Sequence, residues 1–134
     1  MAKTLLEVFT ETTTPISFTI PGQPVSKSRP RISPNGGMYN PTETKDAEEL
    51  IQAYYRQAAP GAQVDEHGYW RVDCVFHTAN KAKRDLDNLA KLVLDALSGL
   101  VWQDDCRVWT LNLSRDIDRD NPRTEVTIER KADL

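Results

Sequence analysis

Apolar residues recur along this chain with two different spacings, one typical of helices and the other typical of strands. In residues 42–58 and 87–97 the apolar positions recur every three or four residues, the period of an amphipathic helix. Pro21-Gly22, Pro60-Gly61 and Ser98-Gly99 are turn and helix-stop signals. Apolar and polar positions alternate in four further segments, as in a strand with one buried face; these are residues 16–20, 71–76, 108–114 and 124–130.

The order of these segments predicts a single α+β domain. A strand, a proline-rich loop, a helix, a strand, a helix and two strands indicate one mixed β-sheet with two main helices packed on it. Met38-Tyr39 is a candidate returning strand within the loop, and the last two strands are expected to pair as a closing hairpin. With 134 residues the chain fits one domain with a substantial core. We place this domain at residues 16–134 and assign residues 1–15 to an N-terminal arm.

Composition narrows the function classes. The chain is 39% hydrophobic and 28% charged, with a net charge of −3, so any affinity for nucleic acid must come from local basic patches or from pairing two copies. The two cysteines, Cys74 and Cys106, lack metal-ligand spacing. No signal peptide and no apolar run long enough to span a bilayer is found in the sequence, so we expect a cytoplasmic protein with no membrane partner.

Aspartates crowd into a basic stretch around the second predicted helix. Asp85 and Asp87 stand at its start, and Asp104-Asp105 follow in a turn before the next strand. Such carboxylates repel one another unless a cation neutralises them, and a phosphate substrate would use the neighbouring positive charge. Asp85, Asp87 and Asp105 would suffice for Mg²⁺, which takes few carboxylates and keeps several waters. The pattern therefore predicts a divalent-metal site that acts on nucleic acid.

Structural explanations for single residues stay open at this point. Asp87 could cap a helix over residues 88–97, and Asp87 with Lys91 could be an ordinary surface ion pair. Asp95 continues the same helix face and is interpreted as solvated or structural rather than as a ligand.

These residues resemble a known family. The run Arg84-Asp85-Leu86-Asp87-Asn88-Leu89-Ala90-Lys91, followed by Asp95-Ala96-Leu97, Gly99, Val101-Trp102 and Asp104-Asp105, is similar to the central motif of the RusA family of Holliday junction resolvases. Residues 22–31 and Tyr39-Asn40-Pro41 resemble the opening of phage and prophage members. The resemblance implies a RusA-like fold and a homodimeric, Mg²⁺-dependent endonuclease of bacterial or phage origin. It would cut four-way DNA junctions symmetrically in recombination and repair, and Mn²⁺ would be able to substitute.

The resemblance also implies residue roles. Asp85, Asp87 and Asp105 would be catalytic residues that ligate the metal, and Lys91 would be the essential lysine. Asp104 would not ligate the metal itself but would orient a metal-bound water or Lys91. Cys106 stands where members often carry serine or alanine.

Two basic clusters are candidates for contact with the DNA backbone. One contains alternating residues that share a face of an extended segment, and the other adjoins the aspartates. Taken singly, each residue could merely improve solubility. The residues are Lys27, Arg29, Arg31, Lys81, Lys83 and Arg84.

Three other functions compete with a junction resolvase. The first is a catalytically silent dimer that binds junctions, disfavoured because it would gain nothing from keeping these acids near phosphates. The second is a metal-dependent nuclease aimed at flapped or other branched DNA, since the chemistry is shared and dimer geometry selects the substrate. The third is an α+β interaction domain, which leaves the coincidence of acids and bases unexplained.

Overall fold

The structure, a computed structural model, describes residues 14–27, 31–32, 34–39 and 42–131. The predicted arm therefore lies almost wholly outside the described residues. Two helices and six strands follow one another in the predicted order. They are β1 (Ile16–Pro21), β2 (Arg31–Ile32), β3 (Met38–Tyr39), α1 (Thr42–Ala58), β4 (Tyr69–Thr78), α2 (Leu86–Leu97), β5 (Val108–Ile117) and β6 (Arg123–Lys131), with a 3₁₀ helix at Asp105–Arg107.

The main sheet is mixed, as predicted, and has the strand order β1-β6-β4-β5. β5 runs parallel to β4, whereas β6 runs antiparallel to both β4 and β1. The expected closing hairpin is wrong, because β4 lies between β5 and β6. The loop that joins them crosses the end of β4, where the Asp118 N–H donates to the Thr78 carbonyl over 2.9 Å. Alternation identifies a strand but does not identify its partner.

The hydrophobic core lies between one face of this sheet and the two helices. Trp70, Val72, Cys74 and Phe76 alternate along β4 and are all buried. Ile51 and Tyr55 of α1 pack into the same core. α2 contributes the largest share, with Leu89, Ala90, Leu92, Val93, Ala96 and Leu97 all buried. Burial of this broad apolar stripe fixes α2 against the sheet and leaves its polar stripe for chemistry.

The limits of α2 correct one sequence interpretation. The helix begins at Leu86, and Asp85 is its N-cap residue in an extended conformation (φ −82°, ψ 125°), without a capping side-chain hydrogen bond. The alternative in which Asp87 caps a shorter helix is wrong, because Asp87 lies within the first turn. At the other end Gly99 adopts a φ of 82°, the left-handed conformation predicted for it.

A small ribbon forms beside the main domain. β2 and β3 pair antiparallel, with Arg31 opposite Tyr39 and Ile32 opposite Met38, which confirms the returning strand predicted at 38–39. Within the described ranges, no helix is long and apolar enough to cross a membrane.

Candidate active site

A tight turn after α2 returns the acidic pair to the side of the helix. The Gly99 N–H donates to the Trp102 carbonyl over 2.7 Å, and the Trp102 indole Nε1–H donates to Ser98 Oγ over 3.2 Å. The buried Trp102 anchors this turn in the core. As a result Lys91 Nζ lies 3.7 Å from Asp105 Oδ2. Two residues predicted to be catalytic, 14 positions apart along the chain, thus become neighbours.

Asp95 binds two lysines at once. Its Oδ1 accepts from Lys91 Nζ over 2.9 Å, and its Oδ2 lies 3.2 Å from Lys27 Nζ. Lys27 Nζ in turn donates to Glu48 Oε1 on α1 over 2.6 Å. The Lys27 backbone N–H donates to the Asn88 carbonyl over 2.9 Å, which ties the N-terminal loop to the start of α2. The structural interpretation of Asp95 is therefore supported, and its partners are more extensive than a single surface pair.

Electrostatics keep both lysines charged. Burial lowers the pKa of the Lys27 ammonium, but hydrogen bonds and attraction from Glu48 and Asp95 outweigh it, so the net shift is upward. The hydrogen bond with Asp95 is the main reason that the pKa of Lys91 is also raised. At neutral pH each ammonium is therefore protonated and carries a fixed positive charge.

Asp104 and Asp105 form a close carboxyl pair. Asp104 is the N-cap of the 3₁₀ helix, and its Oδ1 accepts from the Cys106 N–H over 3.4 Å. A hydrogen bond with the Asp104 carboxyl, together with burial, raises the pKa of Asp105, and the nearby Lys91 offsets this only in part. Adjacent carboxylates repel each other, and their oxygens are suitable ligands for a hard divalent cation.

The carboxylates of Asp85, Asp87 and Asp105 are chemically suitable ligands for such a cation, but they do not lie close enough together to form a complete coordination shell. Asp85 and Asp87 are exposed at the start of α2, where Asp87 Oδ1 accepts from the Asn88 N–H over 3.0 Å. Among the described residues, no three histidine, cysteine, aspartate or glutamate side chains are grouped closely enough to hold a metal ion. The structure thus brings together Lys91 and Asp105, and leaves Asp85 and Asp87 outside any such group.

Comparison with known proteins places this site in a family. The profile described as "Endodeoxyribonuclease RusA" matches residues 21–129, most of the chain and all of the site described above. The chain belongs to the RusA endodeoxyribonuclease family. It is also 29% identical over 135 residues to YqaN of Bacillus subtilis (strain 168), an uncharacterized protein, with 84% of this chain and 94% of YqaN covered. The RusA match makes the chain a nuclease of the hydrolase class.

The basic residues predicted to contact DNA in this RusA-family chain have different surroundings. Lys81 and Lys83 are exposed in the loop between β4 and α2. Arg84 is half-buried, and its Nε is buried without a hydrogen-bond partner among the described residues. Arg29 lies outside the described residues, and of Arg31 only the backbone, in β2, is described. The Lys27 ammonium is already engaged by two carboxylates.

Arg115 is a residue of this RusA-family site region that sequence reasoning missed. Its Nε donates to Thr78 Oγ1 over 3.1 Å, and its terminal Nη2 donates to the carbonyls of Asn80 and Ala82 over 2.9 and 2.8 Å. Arg115 thereby shapes the loop that carries Lys81 and Lys83. The sequence carried part of the signal, because Arg115 has the same strand phase as Leu111 and Leu113. That Arg115 stands opposite buried Phe76 required the structure. A charged side chain at a strand position where apolar residues are expected indicates that it has a specific hydrogen-bond partner inside the fold.

Proposed function

We propose that this chain is a Mg²⁺-dependent endodeoxyribonuclease that resolves four-way (Holliday) junctions in DNA recombination and repair. The observation that carries the proposal is the approach of Lys91 to Asp105 inside the region matched by the RusA family. A lysine held 3.7 Å from an acid of the carboxyl pair puts a fixed cation beside a candidate metal ligand. That arrangement serves phosphodiester hydrolysis, in which negative charge develops on phosphate oxygens.

The proposed roles follow from charge and position. Asp85, Asp87 and Asp105 would hold Mg²⁺, or Mn²⁺ in its place. The bound ion would supply an activated water and would stabilise charge on the leaving oxygen. Lys91 presents its ammonium to the phosphate. Asp104 holds the 3₁₀ turn through the Cys106 N–H and so helps to place Asp105 in that turn.

The DNA backbone is proposed to follow the loop before α2. Lys81, Lys83 and Arg84 lead directly into Asp85, so a strand bound by them passes the acids. Arg29 and Arg31 are proposed to add further contacts with the DNA backbone. Lys27 is left out of these contacts, because two carboxylates already neutralise its charge.

A second copy of the chain is proposed to pair with the edge strand β5. β5 has a sheet neighbour on one side only, and it carries three of the exposed large hydrophobic residues of the described chain. These are Trp109, Leu111 and Ile117, exposed by 56%, 41% and 44%. A long apolar edge strand is unfavourable in a monomer, and antiparallel pairing with its own copy satisfies its backbone groups by two-fold symmetry. The two active sites of such a dimer would match the two opposing strands of a junction.

Cleavage of defined substrates tests this proposal. Purified protein is incubated with a labelled four-way junction, a flap and a linear duplex, each with Mg²⁺ and with EDTA. We expect paired nicks in opposing strands of the junction, only with Mg²⁺. Better cleavage of the flap would indicate a broader structure-selective nuclease, and binding without cleavage would indicate a silent junction binder. Either result would overturn the resolvase assignment.

Asp87→Asn tests the ligand set. We expect cleavage to fall by roughly 10²-fold or more, because loss of a ligand removes charge stabilisation of several kcal/mol. Junction affinity measured in EDTA should be unchanged or tighter, since a negative charge near phosphates is removed. Asp120→Asn, in the exposed loop between β5 and β6, makes the same change away from the site and should retain full activity. Retained cleavage by Asp87→Asn would remove Asp87 from the catalytic set.

A further inference from the structure

Five side chains of alternating charge form a continuous row from α1 to the 3₁₀ helix. Adjacent groups are separated by 2.6, 3.2, 2.9 and 3.7 Å. The members come from four separate parts of the chain and occur in the order Glu48, Lys27, Asp95, Lys91 and Asp105. We call them the charge row. Only its last two members belong to the catalytic set proposed above.

We infer that Asp95 is a positioning residue that holds Lys91 in place for catalysis, and that Lys27 and Glu48 anchor Asp95. The inference rests on the proposed nuclease function of Lys91. It adds three residues to the functional site, one of which was predicted to contact DNA and another to be merely structural.

Lys91 needs such a restraint. Its side chain is 51% exposed, and an exposed lysine samples many rotamers. Asp105 lies 3.7 Å away and is itself 38% exposed, so it holds Lys91 weakly. Asp95 lies 2.9 Å away and is only 26% exposed. Asp95 is therefore the partner that sets the direction of the Lys91 ammonium.

Asp95 is itself fixed from the opposite side. Lys27 is 19% exposed and lies between Asp95 and Glu48, whose side chain is 21% exposed. The hydrogen bond from the Lys27 N–H to the Asn88 carbonyl locks the backbone at this point. Both Asp95 oxygens thus have a cationic partner, which distinguishes this arrangement from an ordinary exposed i,i+4 pair with one flexible contact.

The row also keeps Lys91 in place when positive charge arrives at Asp105. A cation bound by Asp105 would repel the Lys91 ammonium and weaken the contact between the two residues. Asp95 remains as a counter-charge on the other side of Lys91, and Lys27 prevents Asp95 from following the cation. Lys91 is then free to face a phosphate without leaving the site.

A double-mutant cycle separates positioning from general support of the fold. We expect Asp95→Asn to slow single-turnover cleavage of the four-way junction by roughly 10- to 100-fold, the usual effect of losing a residue that orients a functional group. Junction affinity in EDTA should change less than about twofold. In a Lys91→Met background the same substitution should have almost no further effect, because its target is gone. Asp95→Glu should recover part of the rate, and Glu49→Gln, an equal charge change at an exposed position of α1, should leave it unaltered.

A second measurement does not depend on activity. In the metal-free protein, NMR of ¹⁵N-labelled lysine ammonium groups should show a slowly exchanging Lys91 signal that Asp95→Asn abolishes and Glu49→Gln retains. If the wild type cleaves junctions but Asp95→Asn cleaves equally well, or slows cleavage equally in both backgrounds, positioning by Asp95 is overturned. If the wild type cleaves no branched DNA, the proposed function fails, and the Lys91 signal alone decides whether Asp95 holds that side chain. The same signal decides the question if Lys91→Met leaves no measurable cleavage.

Discussion

At the scale of the residue, surroundings rather than residue type decide what a lysine can do. Lys27 and Lys83 carry the same charge in the two basic clusters. Lys27 is 19% exposed and lies against Glu48 and Asp95, so it has little positive field left for a phosphate. Lys83 is exposed in the loop that leads to the acids of α2. The two residues should therefore affect DNA binding in different ways.

Lys83→Ala should weaken binding to every DNA tested and should reduce its dependence on salt. Loss of one phosphate contact lowers the slope of log K against log salt concentration by about 1, because one fewer counterion is released. The measurement is a titration of fluorescent junction DNA in EDTA at several salt concentrations. Lys45→Ala, at an exposed position of α1, is the matched control and should leave the slope unchanged. Equal slopes for wild type and Lys83→Ala would return this loop to a structural role.

At the scale of the element, the sequence predicted which segments form strands and helices but not how the strands pair. The stripe of α2 and the alternation of β4 are local signals, since each residue's phase depends only on its neighbours. The place of β4 between β5 and β6 depends on a loop that crosses the end of β4, and no local period encodes that crossing. The site divides in the same way. Asp105 was predicted from its motif, whereas its contact with Lys91 and the partners of Asp95 required the fold.

The edge strand β5 provides a test of self-association. Leu111→Lys should convert a dimer to a monomer, because a lysine on an edge strand opposes pairing with another strand. Sedimentation velocity over a range of protein concentrations measures this change. Val64→Lys changes another partly exposed apolar residue, 38% exposed and outside the sheet, and should retain the dimer. A wild type that is monomeric throughout, or a Leu111→Lys variant that stays dimeric, would exclude β5 as the interface.

At the scale of the whole molecule, Asp65 ties together the end of the sheet where β4 begins and β6 ends. Its Oδ1 accepts from the N–H groups of His67 and Gly68, and its Oδ2 accepts from Trp70 Nε1 over 2.9 Å and Arg130 Nε over 2.8 Å. Burial alone would raise the pKa of this carboxyl, but these four donors lower it overall. A side chain added at Gly68 would collide with the Asp65 and Arg130 side chains. No local pattern in the sequence indicates this cluster, because Arg130 is 65 positions away from Asp65 and joins it only in the folded chain.

The lowered pKa of Asp65 predicts how stability depends on pH. The folded value lies below the unfolded value of about 3.9, so the contribution is present above about pH 4 and is lost as pH falls through the folded pKa. Asp65→Asn should reduce the free energy of unfolding at pH 7 by about 1.5–3 kcal/mol, the range for hydrogen bonds to a charged group. Urea unfolding of both proteins from pH 7 to pH 3 should show this difference shrinking at acid pH. A constant difference would mean that the Asp65 charge does not stabilise the fold.

The central place of β6 has a consequence for synthesis of the protein. β6 is the last strand of the described chain, yet it is the strand that joins β1 to β4. A chain still on the ribosome, with residues beyond β5 unmade, already carries every aspartate of the motif. It has no partner for β1, however, and therefore no fixed position for the loop that brings Lys27 to Asp95. Because pairing of β1 with β6 joins distant parts of the sequence, it is expected to form late in folding. We therefore expect nuclease activity to arise only after β6 has been made and has paired with β1 and β4.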